Sequence, residues 1–186
     1  MVKKDELNIE LDAETLLIID EIKENLIKLK KSAKFFVLAP ILERMFKNVF
    51  LTDDLELSRI IIKKDFRITL PDFQNMEIKL GHLTKAIYIL FLKHPNGIDL
   101  KLLAEYENEI FEIYKSVSYQ ISYEKMKNTI HHLVNSKNEI YVHLSRIKSV
   151  FESELSVHYA EKYYIMGKKG KLKCVKVEKE KIIFEK

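Results

Sequence analysis

The chain has 186 residues, 47% of them hydrophobic and 32% charged, with a formal net charge of +4. That is enough apolar chain for one domain with an appendage, or for two small domains. A lone cysteine, Cys174, excludes an internal disulfide and a multi-cysteine zinc centre, and no apolar run reaches the roughly 18 residues that span a bilayer.

The first residues, Met1-Val2-Lys3-Lys4-Asp5-Glu6, turn acidic at once and lack the apolar stretch of a signal peptide. A cytoplasmic protein is expected. Asp12 is suited to cap a helix. After it, Leu16, Ile19, Ile22, Leu26 and Leu29 recur at helical spacing, with Asp20, Glu21, Glu24, Lys28 and Lys31 on other sides. A second helical run is expected over 35–46, apolar on most sides and interrupted by Pro40. Two such helices exceed what they bury in each other. They are expected to pack on the rest of the chain or to make a homodimer through residues 12–47.

Thr52-Asp53-Asp54 breaks the helical pattern. The runs 59–63, 66–70 and 76–80 are rich in β-branched or alternating residues, with a turn at Pro71-Asp72; two or three short antiparallel strands fit. Residues 83–92 are apolar nearly all round and predict a buried helix that stops at His94-Pro95-Asn96-Gly97. Asp99 is placed to cap the next helix, and 123–134 forms another candidate. Ser136-x-x-Glu139 has the form of a capping box. Beyond it, Ile140, Leu144, Ile147, Phe151 and Leu155 make one stripe, and His143, Arg146 and Lys148 are expected to point away from it. The runs 163–166 and 172–177 look β-like and flank the basic turn Gly167-Lys168-Lys169-Gly170-Lys171.

Charge is concentrated in that last segment. Residues 161–186 hold nine lysines against four glutamates, an excess of five, so the remainder is close to neutral. A local basic excess suits a phosphate-binding surface, although lysines also protect exposed strand edges.

Together these elements resemble the DNA-binding domain of OmpR/PhoB-type response regulators. The residues that carry the likeness are Ile78-Lys79-Leu80 before Leu83-Thr84, the His-Pro-Asn-Gly turn, the run Val142-His143-Leu144-Ser145-Arg146-Ile147-Lys148, and Tyr164-Ile165-Met166-Gly167-Lys168-Lys169-Gly170. The resemblance covers roughly residues 58–184. It differs from the family in an inserted helix between 107 and 136, in an all-lysine turn, and in having no receiver domain. The chain as a whole also resembles small bacterial proteins, which adds no activity to the expectation.

The resemblance implies an α+β, helix-rich fold: a winged helix-turn-helix over 53–186 with a C-terminal β-hairpin as the wing; the helical spacing before it adds a helical extension over 1–52. It implies duplex DNA as partner and a place in transcriptional control. A recognition helix near 137–155 would present His143, Ser145, Arg146 and Lys148. A wing near 163–177 would present Lys168, Lys169 and Lys171. The competing expectation is a protein-interaction module in which the winged helix is architectural.

No enzyme is expected, and no cofactor. His131 and His132 are neighbours, point about 100° apart on a helix and seldom share a metal. No phosphate loop or dinucleotide fingerprint is present. His143, Arg146, His158 and Tyr164 look only superficially like a recombinase set, because the second arginine and the spacing are missing. The tyrosines dense in the second half are expected to pack with their hydroxyls at the surface.

Overall fold

A computed structural model describes residues 12–31, 40–41, 57–118, 121–136, 138–168 and 170–185. The chain divides into two units, Met1–Thr52 and Asp53–Lys186. Of the expected helix over 35–46, only Pro40 and Ile41 are among the described residues.

In the first unit, α1 spans Ala13–Lys31. Asp12 caps it as expected: its carboxylate accepts from the Thr15 backbone N–H at 2.7 Å and from the Thr15 hydroxyl at 3.0 Å. Those bonds hold the Asp12 carboxyl below its ordinary pKa, the backbone N–H contributing most.

The second unit is α+β and mostly helical. Strands β1 (Ile60–Ile62), β2 (Ile68–Leu70) and β3 (Met76–Ile78) form the expected antiparallel meander. Phe66 takes a left-handed conformation in the first turn, where the Asp65 carboxylate accepts from the Arg67 N–H. In the second turn, Asp72 accepts two bonds from the Arg59 guanidinium, at 2.9 and 3.2 Å, and one from the Arg59 N–H at 2.9 Å. Those side-chain bonds to Arg59 are the main cause holding the Asp72 carboxyl down at about 2. A fourth strand was not foreseen. β4 (Ile182–Phe184) lies parallel to β1, with Ile60 opposite Ile182, and the sheet order is β3-β2-β1-β4.

The helices follow β3. α2 (His82–Lys93) buries every residue from Ala86 to Leu92, as its apolar circumference predicted. Asp99 does accept from the Lys101 N–H, but the segment it caps, Leu100–Tyr106, is a 3-10 helix kinked at Leu102. The α-helical part, α3, begins only at Glu107 and ends at Val117. α4 (Tyr123–Asn135) is the inserted helix; it packs on α3 and on the 3-10 segment. α5 spans Glu139–Glu154 and α6 spans Val157–Tyr163. α2 contacts both α3 and α5, which puts it at the centre of the layer.

Three aromatic rings join these parts. The Tyr163 and Phe151 rings stack at 5.9 Å, and Tyr88 lies 5.4 Å from Phe151. The Tyr88 hydroxyl donates to the Tyr163 carbonyl at 2.8 Å, and the Tyr163 hydroxyl donates to the Ser58 carbonyl at 3.0 Å. Both tyrosines are fully buried, and burial raises both phenol pKa values. The expectation of a surface hydroxyl is therefore corrected for Tyr163. Its hydroxyl donates to the Ser58 carbonyl just before β1, which makes its burial tolerable.

Candidate nucleic-acid interface

The stripe on α5 sets the geometry of the site. Ile140, Leu144, Ile147 and Phe151 are buried, as the spacing requires. Ser145, Arg146 and Lys148 are exposed on the other side. The start of the helix shows half of the anticipated capping box: the Glu139 N–H donates to the Ser136 hydroxyl at 3.3 Å. The Glu139 carboxylate does not turn back toward Ser136. Its Oε2 lies 3.2 Å from His132 Nε2 on α4, without hydrogen-bond alignment. The preceding residue, His131, places Nδ1 3.0 Å from Glu107 on α3. The adjacent histidines thus diverge toward two different helices, as their helical spacing dictates. No group of three or more potential metal ligands occurs among the described residues.

His143 corrects the sequence reading. It is 5% exposed, and its Nδ1 shares a hydrogen bond with the Thr84 hydroxyl on α2 at 2.8 Å. Burial, and then the nearby Arg146 charge, lower its pKa below the ordinary histidine value. A neutral ring held against α2 has no surface to offer a ligand.

The hairpin forms the other wall. Met166 pairs with Cys174, and Ile98 pairs with Lys173, both antiparallel. Residues 98, 166 and 173–174 thereby join the end of α2 to the segment after α6. Neither expected run, 163–166 or 172–177, forms a regular strand: Tyr163 is the last residue of α6, and the pairing is confined to the isolated bridges of Met166 with Cys174 and Ile98 with Lys173. Gly97 makes the joint possible. Its φ is +93°, and a Cβ there would stand 3.0 Å from both the Leu172 Cβ and the Lys173 carbonyl oxygen. The Lys173 ammonium donates to the Gly167 carbonyl across the turn.

Between α5 and the hairpin lies an open groove of about 690 Å³. Its lining includes Tyr141, Ser145, Lys148, Lys168, Lys173 and Lys176. Lys148 sits 5.4 Å from the centre of the Tyr164 ring and 3.5 Å from the Glu152 carboxylate. Its pKa is raised, first by Tyr164 and then by Glu152, so its charge is retained. Around the outer edge, Tyr141, Val142, Ser145, Arg146 and Ser149 line a shallower depression.

Of the seven residues singled out from sequence, Ser145, Lys148 and Lys168 meet in the groove, and Arg146 stands on the adjoining face. Lys171 is exposed on the hairpin but does not line the groove, and Lys169 lies outside the described residues. His143 is removed to the core. Lys173, Lys176 and Tyr164 belong to the groove and were missed.

Ammonium groups, a guanidinium, hydroxyls and aromatic edges are donors and stacking surfaces suited to phosphate oxygens and base edges. No protein-family model, curated protein or solved structure matches this chain.

Proposed function

We propose that the unit Asp53–Lys186 is a winged-helix module that binds duplex DNA, with sequence tolerance or moderate specificity, and serves transcriptional control. The observation that carries this reading is the groove between α5 and the hairpin, with Lys148, Lys168, Lys173 and Lys176 on its walls. In this reading α5 enters the major groove, which is about 12 Å wide and admits one helix. Ser145 and Arg146 face base edges or the flanking phosphates. Lys168, Lys169 and Lys171 follow the neighbouring backbone or minor groove. The exposed Tyr141 and Val142 offer apolar contact to thymine methyl groups.

The test is binding of the full chain to random-sequence duplex at two salt concentrations. Affinity should fall steeply with salt, with a log–log slope of about 0.9 per phosphate neutralised. Replacing Lys168, Lys171 and Lys176 together with alanine should lower that slope by about 2 to 3 and weaken all sequences alike. Absence of binding at low salt would reject the reading. It would then favour docking of a protein partner on the depression around Tyr141 and Val142, where both side chains are about half exposed.

A further inference from the structure

α1 has no buried residue. Leu16, Ile18, Ile22, Leu26 and Ile27 are each between 37% and 53% exposed. An exposed row of this kind on a five-turn helix is an incomplete interface. Its charges say what completes it. The N-terminal part carries Asp12, Glu14, Asp20 and Glu21, and the C-terminal part carries Lys28, Lys30 and Lys31, while Lys23 and Glu24 cancel between them. Four negative charges thus precede three positive ones along a single helix.

We infer that α1 pairs antiparallel with α1 of a second copy of this chain, making the protein a homodimer. Reversal about a twofold axis sets each acidic half against the lysine half of the other copy and brings the two leucine-isoleucine rows together. The interface is then isologous, the commonest form in soluble oligomers. Parallel pairing would set acid against acid and lysine against lysine, which is destabilising. The same segregation fits the helix dipole, with acid at the N-terminus and lysine at the C-terminus. Antiparallel pairing also opposes the two dipoles, whereas parallel pairing aligns them. This inference does not rest on DNA binding.

The experiment uses the full chain with Cys174→Ser, followed by sedimentation over a concentration range up to the order of 100 μM. A dimer is expected at the upper end. Leu26→Asp, an exposed substitution, should return it to monomer with an unchanged circular dichroism spectrum. Lys28→Glu, Lys30→Glu and Lys31→Glu together should weaken association at least tenfold, and raised salt should reduce the difference between this variant and the parent. Orientation is read from cysteines. A mixture of Ile19→Cys chains with Leu26→Cys chains should give crosslinks mainly between the two kinds. Crosslinks only within each kind would show parallel pairing and overturn the orientation. A parent chain monomeric at every concentration, or a dimer indifferent to Leu26→Asp, would overturn the interface. A monomer would assign the apolar row to contacts within one chain.

Discussion

His143 and Arg146 lie three residues apart on α5 and occupy opposite environments, one buried and one exposed. At about 100° per residue, His143 falls about 60° from Ile140 and 40° from Ile147, within the buried arc. The expected stripe of Ile140, Leu144, Ile147, Phe151 and Leu155 stops short of it, but Thr84 supplies the partner that makes burial tolerable. A contact 59 residues away is not visible in the local pattern. The consequence is a pH dependence. A folded-state pKa below the unfolded one means that the unfolded chain binds more protons in the window between them, so stability rises with pH there. The stabilisation is complete above about 6.5 and is lost as pH falls from there toward the lowered value. Between about pH 7.5 and about pH 5.5, the parent should therefore lose more denaturation midpoint than His143→Gln. Equal losses would remove this role. On the same helix, Leu144→Ala should cost roughly 2–5 kcal/mol, while Arg146→Ala should stay within about 0.5 kcal/mol in chemical denaturation. Reversed magnitudes would reverse the faces of α5.

At the scale of elements, legibility followed length and periodicity. α2 and α5 were readable because many turns repeat one apolar pattern. The 3-10 helix Leu100–Tyr106 was not distinguishable from the start of an α-helix, since Asp99 caps either one. β4 escaped although β1, β2 and β3 are equally short, because it has no partner next to it in the chain: β1 lies far away in sequence. The groove was half legible. The lysine-rich turn was evident from composition, but the inward placement of Lys173 and Lys176 depends on the pairing of Ile98 with Lys173. That pairing depends on Gly97, so Gly97→Ala should destabilise the second unit by more than about 1 kcal/mol. It should also weaken DNA binding beyond the loss of folded protein, because the hairpin wall is displaced from α5. Thermal melts and binding titrations of the same preparation check both. An unchanged melt would mean that the joint tolerates a side chain.

For the whole molecule, the α+β character follows from strands and helices each named by their own signals. Among the described residues no helix is long and apolar enough to cross a membrane. The order of the sheet carries a consequence for how the second unit comes into being. Ile60 pairs with Ile182 across 122 intervening steps of chain (182 minus 60), so β1 waits for nearly all of its unit before acquiring one of its neighbours. Until Ile182–Phe184 leaves the ribosome, one border of a three-stranded isoleucine-rich sheet is an open template for another chain. Closing so long a loop is slow compared with forming the α2–α5 helices. Removal of residues 182–186 should therefore leave helical content largely in place and yet turn the product toward aggregation, read by light scattering beside circular dichroism. A monodisperse truncated protein with the parent's melting midpoint would show that the strand is dispensable. In the intact chain, β4 acts as a time stamp: it covers the edge of β1 and becomes the new border only when the helical layer that carries the proposed interface has already been made.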